Sequence, residues 1–252
     1  MNRFTKFISA VALVAAGFLI ANPAAAQDDA QLSVLHGVPG AVVDVYVNGV
    51  LTLDDFTPGS LAGPLSLPAD TYVVTIVAST DPDDSNPLIG PAPLPLEAGM
   101  NYTAVAHLDA VGGLTASLFT NDTSVAGFGK GKITARHTAA NAEGVEVLLD
   151  DASLGTFDNG EQIGPAALSD GLYTVEIKAG DLTVPPTPVD VPVFDGQNTI
   201  VYAWGDASDL QLAIQYVDLV YEGSTSIPTL DTLGIALMIT ILLLVGARRF
   251  TS

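Results

Sequence analysis

The chain has 252 residues, with 28 Asp or Glu against eight Lys or Arg, a net charge of −20, and no cysteine. Such acidity repels phosphate backbones and argues against nucleic-acid binding, while the missing thiols exclude cysteine catalysis, thiolate metal sites and disulfides. An apolar content of 48% is too high for the disordered class that acidity alone suggests, so a folded, anionic protein is expected.

At the amino terminus Arg3 and Lys6 precede an apolar run from Phe7 to Ala21 and a small-residue end at Ala24, Ala25 and Ala26. That order of basic, apolar and small residues is expected to be a secretory signal peptide over residues 1–26, cut between Ala26 and Gln27. An uncleaved anchor helix is the competing reading, and the Ala-x-Ala end speaks against it. Residues 27–226 then carry 27 acidic against four basic residues, a net charge of −23, and leave room for two small domains.

The first strands are legible from alternation. Val43, Val45 and Val47 fall on one face and Asp44 and Tyr46 on the other, the period of a half-buried strand. Asn48 and Gly49 supply the two positive-φ positions of a tight hairpin. Val73 to Ala78 and Asn101 to Leu108 are further strands. Between them Pro82, Pro87, Pro91, Pro93 and Pro95 remove amide donors, which confines their stretch to edge strands or loops.

The acidic turn containing Asp81, Asp83 and Asp84 is the candidate metal site. Calcium takes six to eight oxygens, and carboxylates on one loop supply some of them. The turn lacks the Gly and the distal Glu of an EF-hand loop, and a solvated loop is the competing reading. Asp54, Asp55, Asp150 and Asp151 read as ordinary surface residues at hairpin ends.

The series Val34, Leu35, His36, Gly37, Val38, Pro39, Gly40, followed by Val43 through Gly49, resembles the opening of the bacterial domain-of-unknown-function family 4397. The resemblance implies an exported, often duplicated, immunoglobulin-like sandwich. That family has no assigned chemistry, so no catalytic residue is carried over.

Asn121 to Gly131 is polar and glycine-rich and reads as a linker, after which the pattern repeats. His36 corresponds to His137, Phe56 to Phe157, Gly63 and Pro64 to Gly164 and Pro165, and Tyr72 to Tyr173. After a shortening, Gly99, Asn101 and His107 correspond to Gly196, Asn198 and Trp204. The second copy departs where Glu146 replaces Asp44, Leu148 replaces Tyr46, and Asp150 and Asp151 replace the Asn-Gly turn. Seven or eight short strands per copy predict an all-β chain of two tandem immunoglobulin-like β-sandwiches. The expected division is 1–26 signal peptide, 27–122 first copy, 123–130 linker, 131–221 second copy and 222–252 tail.

His36 and His137 end equivalent first strands, where a ring bonded to a neighbouring loop outweighs catalysis. Tyr46, Tyr72, Tyr102 and Trp204 suit either sugar stacking or the sandwich cores, with core the default. The chain carries no nucleophile elbow, His-Glu-x-x-His motif or phosphate loop.

The tail begins with Ile227, Pro228, Thr229 and Leu230 and continues through Gly234 and an apolar run to Ala247, closed by Arg248 and Arg249. Its length suits a membrane helix when counted from Ile227, and the arginines assign the cytoplasmic side. The tetrapeptide, apolar run and basic cluster resemble the sorting tails recognised by bacterial exosortases, in the subclass that begins Ile-Pro-Thr-Leu. Leu233 stands where that subclass has tryptophan. A plain anchor that is never cut is the alternative. The expected function is a non-enzymatic cell-surface or exopolysaccharide-matrix protein processed by an exosortase. The competing classes are a secreted hydrolase of envelope polymers and an anchored carbohydrate- or calcium-binding module.

Overall fold

The computed structural model describes residues 28–220 apart from Asp181 and Pro185, and every regular element among them is a strand. The first copy holds β1 (Ala30–Gly37), β2 (Val43–Val47), β3 (Val50–Phe56), β4 (Leu61–Leu67), β5 (Asp70–Ala78), β6 (Ile89–Leu96), β7 (Asn101–Leu108) and β8 (Leu114–Thr120). They form two four-stranded sheets with orders β4-β1-β7-β8 and β3-β2-β5-β6. The second copy holds β9 (Lys130–Ala140), β10 (Val145–Leu149), β11 (Ala152–Phe157), β12 (Gln162–Ser169), β13 (Gly171–Ala179), β14 (Leu182–Thr183), β15 (Val189–Val193), β16 (Gln197–Asp206) and β17 (Asp209–Asp218). Its sheets run β12-β9-β16-β17 and β11-β10-β13-β14, with β15 also on β13, so β14 and β15 together stand where the first copy has β6.

The all-β expectation and the paired sheets are borne out, but the strand order is not the immunoglobulin one. An immunoglobulin sandwich pairs its first strand with its second. Here β1 lies between β4 and β7 and β9 between β12 and β16, and the pairings β1–β7 and β9–β16 are parallel. The reason is local. Only a short loop leads from β1 to β2, and it crosses to the opposite sheet, so the first strand is free to pair with the strands that close the copy.

Alternation builds each sandwich as expected. In β10, Val145, Val147 and Leu149 are buried while Glu146 and Leu148 are half-exposed. The hairpin turns agree despite their different residues. Asn48 and Gly49 have φ of 51° and 75°, and Asp150 and Asp151 have 45° and 64°. The Asn48 Oδ1 accepts the Val73 N–H at 2.8 Å, and the Asp150 Oδ1 accepts the Thr174 N–H at the same distance. Asn and Asp share the acceptor that matters, so the Asn-Gly signal survives its replacement. Gly63 and Gly164 mark a matching irregularity. A Cβ on either would lie 2.7 Å from a carbonyl of the neighbouring first strand, that of Leu32 or Ile133.

The proline-rich stretches occupy sheet edges, as their missing donors require: β6 carries Pro91, Pro93 and Pro95, and β15 carries Pro192.

The two copies do not hang as beads on a spacer. The β4-β1-β7-β8 sheet faces the β12-β9-β16-β17 sheet, which makes a four-layer stack. Leu35, Val105 and Phe119 of the first copy and Ile200, Tyr202, Trp204 and Val217 of the second share one buried cluster across this seam. The stretch expected to be a linker is clamped to the stack. Lys132 pairs with Asp122 at 2.7 Å, and Ser124 bridges to Val220. Burial alone would raise the Asp122 carboxyl, but the bonds from Lys132 and Ser124 outweigh it and hold it below the usual carboxylate range. Gln31 pairs with Asn101, the Asn121 N–H bonds Asn101, and the Val220 N–H bonds Thr123, so the described chain begins and ends at the same end of the stack.

Among the described residues no helix is long and apolar enough to cross a membrane. The expected signal peptide and the expected tail over residues 222–252 lie outside the described residues.

Candidate functional site

The two sandwiches differ most in their interiors. The second is filled by one continuous cluster that includes Ile133, Val147, Val175, Ile177, Val191 and Val201, with Val189, Leu212 and Ile214 packed against it. In the first, the buried residues fall into two separate clusters. One centres on Val43, Val45 and Ile76, the other on Leu32, Leu96 and Tyr102. Between them lies a cavity of about 150 Å³ lined by Leu32, Val34, Val74, Leu94, Ala104 and Leu118 among others.

Equivalent positions explain the void. Val74 pairs with Ala92 where Val175 pairs with Val189. Ala106 pairs with Ala116 where Ala203 pairs with Leu212, and the shared register places Ala104 opposite Val201 in the repeat. Three alanines of the first copy thus replace Val, Val and Leu of the second. Ala92 and Ala116 are exposed on the edge strands β6 and β8, so the gap opens to the surface between those edges.

The seam holds the second concentration of chemistry. Arg136 is 1% exposed. Its guanidinium donates to the Tyr202 hydroxyl at 2.7 Å, the Gln162 Oε1 at 3.0 Å and the Thr120 carbonyl at 3.2 Å. It also lies 4.5 Å from the Phe119 ring centroid. Burial pulls its pKa down, and the Tyr202 hydroxyl opposes that pull. The Gln215 Oε1 accepts from Tyr202 at 2.6 Å and from Thr103 at 2.9 Å, which ties the copies together a second time. The Trp204 Nε1 is buried with no hydrogen-bond partner.

The calcium candidates do not gather as expected. Among the described residues the carboxylates that converge are Asp44, Asp54 and Asp55, with one oxygen of each within 4.8 Å of the others. Asp81 accepts from Asn86 instead, and Asp83 accepts from the Ser85 N–H; the Ser85 side chain first, and then that N–H, hold its carboxyl below the usual range. Asp83 and Asp84 nevertheless approach the same face. Desolvation first, then the charges of Asp44, Asp84, Asp83 and Asp54, push the Tyr46 phenol up. The convergence arises from an irregularity of β3. Its pairing with β2 shifts register twice, whereas the β10–β11 pairing shifts once, and Asp55 takes a φ of 49° there. The extra residue brings Asp55 back over Asp44, whose Oδ1 accepts its N–H at 2.9 Å. Reading Asp54 and Asp55 as separate surface residues misses this, because period two does not reveal a bulge.

The histidines take structural positions. The His36 Nε2 bonds the Ala41 carbonyl at 2.8 Å and the His137 Nε2 bonds the Ala142 carbonyl at 2.7 Å, each fixing the loop after its strand. The His107 Nε2 meets the Ser117 Oγ at 2.9 Å, the spacing of a base and a nucleophile, but its Nδ1 faces the Leu108 carbonyl rather than a carboxylate. Tyr102 is buried in the first sandwich, as the core reading expects, Trp204 is buried in the seam between the copies rather than in a sandwich core, and Tyr46 and Tyr72 are half-exposed. The cleavage residues Ala26 and Gln27 and the tail residues Ile227, Pro228, Thr229, Leu230, Gly234, Arg248 and Arg249 lie outside the described residues.

Residues 30–148 match the model of a family described as a domain of unknown function, DUF4397. The match spans the first sandwich and continues through β9 into β10. No curated protein matches the chain.

Proposed function

We propose, from a matched domain without assigned chemistry, that the chain is an exported, non-enzymatic cell-surface or exopolysaccharide-matrix protein. In this reading an exosortase processes it through its tail, and the mature form passes from the inner membrane to the envelope or matrix. The observation that carries the reading is the tetrapeptide Ile227 to Leu230 placed ahead of an apolar run and the Arg248-Arg249 pair. The stacked, strongly acidic sandwiches suit such a role. Their anionic faces resist aggregation outside the cell, and the buried seam makes two small domains one rigid unit without disulfides.

Intact-mass measurement of the protein recovered from cells tests this. Loss of about 20 or more residues beyond Ser226 supports processing, a length set by the roughly 20 residues of a membrane span. A product that starts at Gln27 and ends at Ser252 leaves a plain anchor and rejects the exosortase step. The convergence of Asp44, Asp54 and Asp55 supports a second reading, an anchored calcium-binding module. A melting temperature unmoved by millimolar calcium removes it.

A further inference from the structure

We propose that the gap inside the first sandwich is a binding site for a small, uncharged, apolar group of about benzene's size. The group is either a free aromatic molecule or the end of a short alkyl chain.

Three observations carry this. The first is size: the cavity of about 150 Å³ matches apolar cavities that stay dry and accept benzene. The second is chemistry. A water needs two to four polar partners, and the lining from Leu32, Val34, Val74, Ile76, Leu94 and Leu118 offers hydrocarbon. The hydroxyl in the lining, that of Ser117, is already bonded to His107. The third is the internal comparison. The second sandwich closes the same gap with Val189, Val201 and Leu212 on the corresponding strands β15, β16 and β17, so the fold does not require Ala92, Ala104 and Ala116.

Access and length follow from the edges. Proline-rich β6 offers few donors for a further strand, and the exposed Ala92 and Ala116 flank the opening between β6 and β8. The two buried clusters of the first sandwich close the cavity at either end, which favours a short group over a long chain.

The test uses the full chain with labelled methyl groups, titrated with benzene and, separately, with hexanoate. Benzene is expected to shift the methyl resonances of Leu32, Val34, Leu94 and Leu118 and to leave those of Val189, Val201 and Leu212 in place. A matching response to hexanoate assigns an alkyl end, and a response to benzene alone assigns an aromatic ligand. Ala104→Val with Ala116→Leu, which copies the second sandwich, is expected to abolish the response. If the pair disturbs the native spectrum, Ala116→Leu alone, at the exposed rim, gives the same reading. No site-confined shift with either probe overturns the proposal, and so does a response that persists in the filled variant.

Discussion

The guanidinium of Arg136 lies 4.5 Å from the ring centroid of Phe119, across the seam between the two sandwiches. Its hydrogen-bond partners are neutral, which makes the pair a direct probe of what the seam requires. The first copy has Leu35 at the equivalent position, also fully buried. Buried charges replaced by apolar groups of similar volume often cost nothing, and here no carboxylate is left stranded. Arg136→Met is therefore expected to change stability by less than about 1 kcal/mol. Arg136→Ala, which leaves a void, is expected to lose roughly 2–4 kcal/mol. Denaturant unfolding of the two variants checks the difference, and equal losses reject the packing account.

Burial lowers the pKa values of His36, His107 and His137 from 6.5. Between each lowered value and 6.5 the unfolded chain binds protons that the native chain does not, so stability rises with pH in that window. It is complete above about pH 6.5 and falls as the solution is acidified below that. Melting temperatures from pH 8 to pH 5 are expected to be flat at first and then decline. A chain in which all three histidines are Gln should decline less, and an identical profile rejects the linkage.

Gly164 has a φ of 97°, and a Cβ there would lie 2.7 Å from the Ile133 carbonyl. Both strain and collision oppose a side chain, so Gly164→Ala is expected to cost about 1–3 kcal/mol. Gly63→Ala, at the matching position, should cost a similar amount. A neutral result in urea unfolding at either site contradicts the shared geometry.

Asp150 and Asp151 hold the positive φ values that Asn48 and Gly49 hold in the first copy. Restoring that pair with Asp150→Asn and Asp151→Gly keeps the acceptor for Thr174 and relieves the φ of Asp151. A gain of about 0.5–1 kcal/mol is expected. Asp150→Ala should lose about 1 kcal/mol with its hydrogen bond. Thermal melts rank the three chains, and the order Asn-Gly, Asp-Asp, Ala-Asp is the predicted one.

Much of the architecture was legible because it is local. Alternation in β2 and β10, the Asn-Gly turn and the edge prolines each act within a few residues. The face-to-face stacking was less visible, although β16 carried a signal for it. Ile200 to Trp204 is apolar without alternation, the mark of a strand buried on both sides. The Gly-rich stretch at 121–131 read as a spacer because nothing local reveals that Asp122 meets Lys132. The cavity was readable in principle, since aligning the copies sets Ala104 against Val201. Its openness depends on which edges face each other, and that is tertiary. The bulge at Asp55 left only a one-residue slip between repeats, which period two cannot assign to a strand.

The shared end at which the described chain starts and stops has a mechanical consequence. Force arriving at Val220 and resisted at the opposite loops runs along the strands, and β17 meets it through ten consecutive rungs to β16. Rungs loaded lengthwise must give way together rather than open one by one like a zip. In a chain fastened through its tail, as proposed above, such a sheet resists pulling along its strands, and the loops at the opposite end stand farthest from Val220.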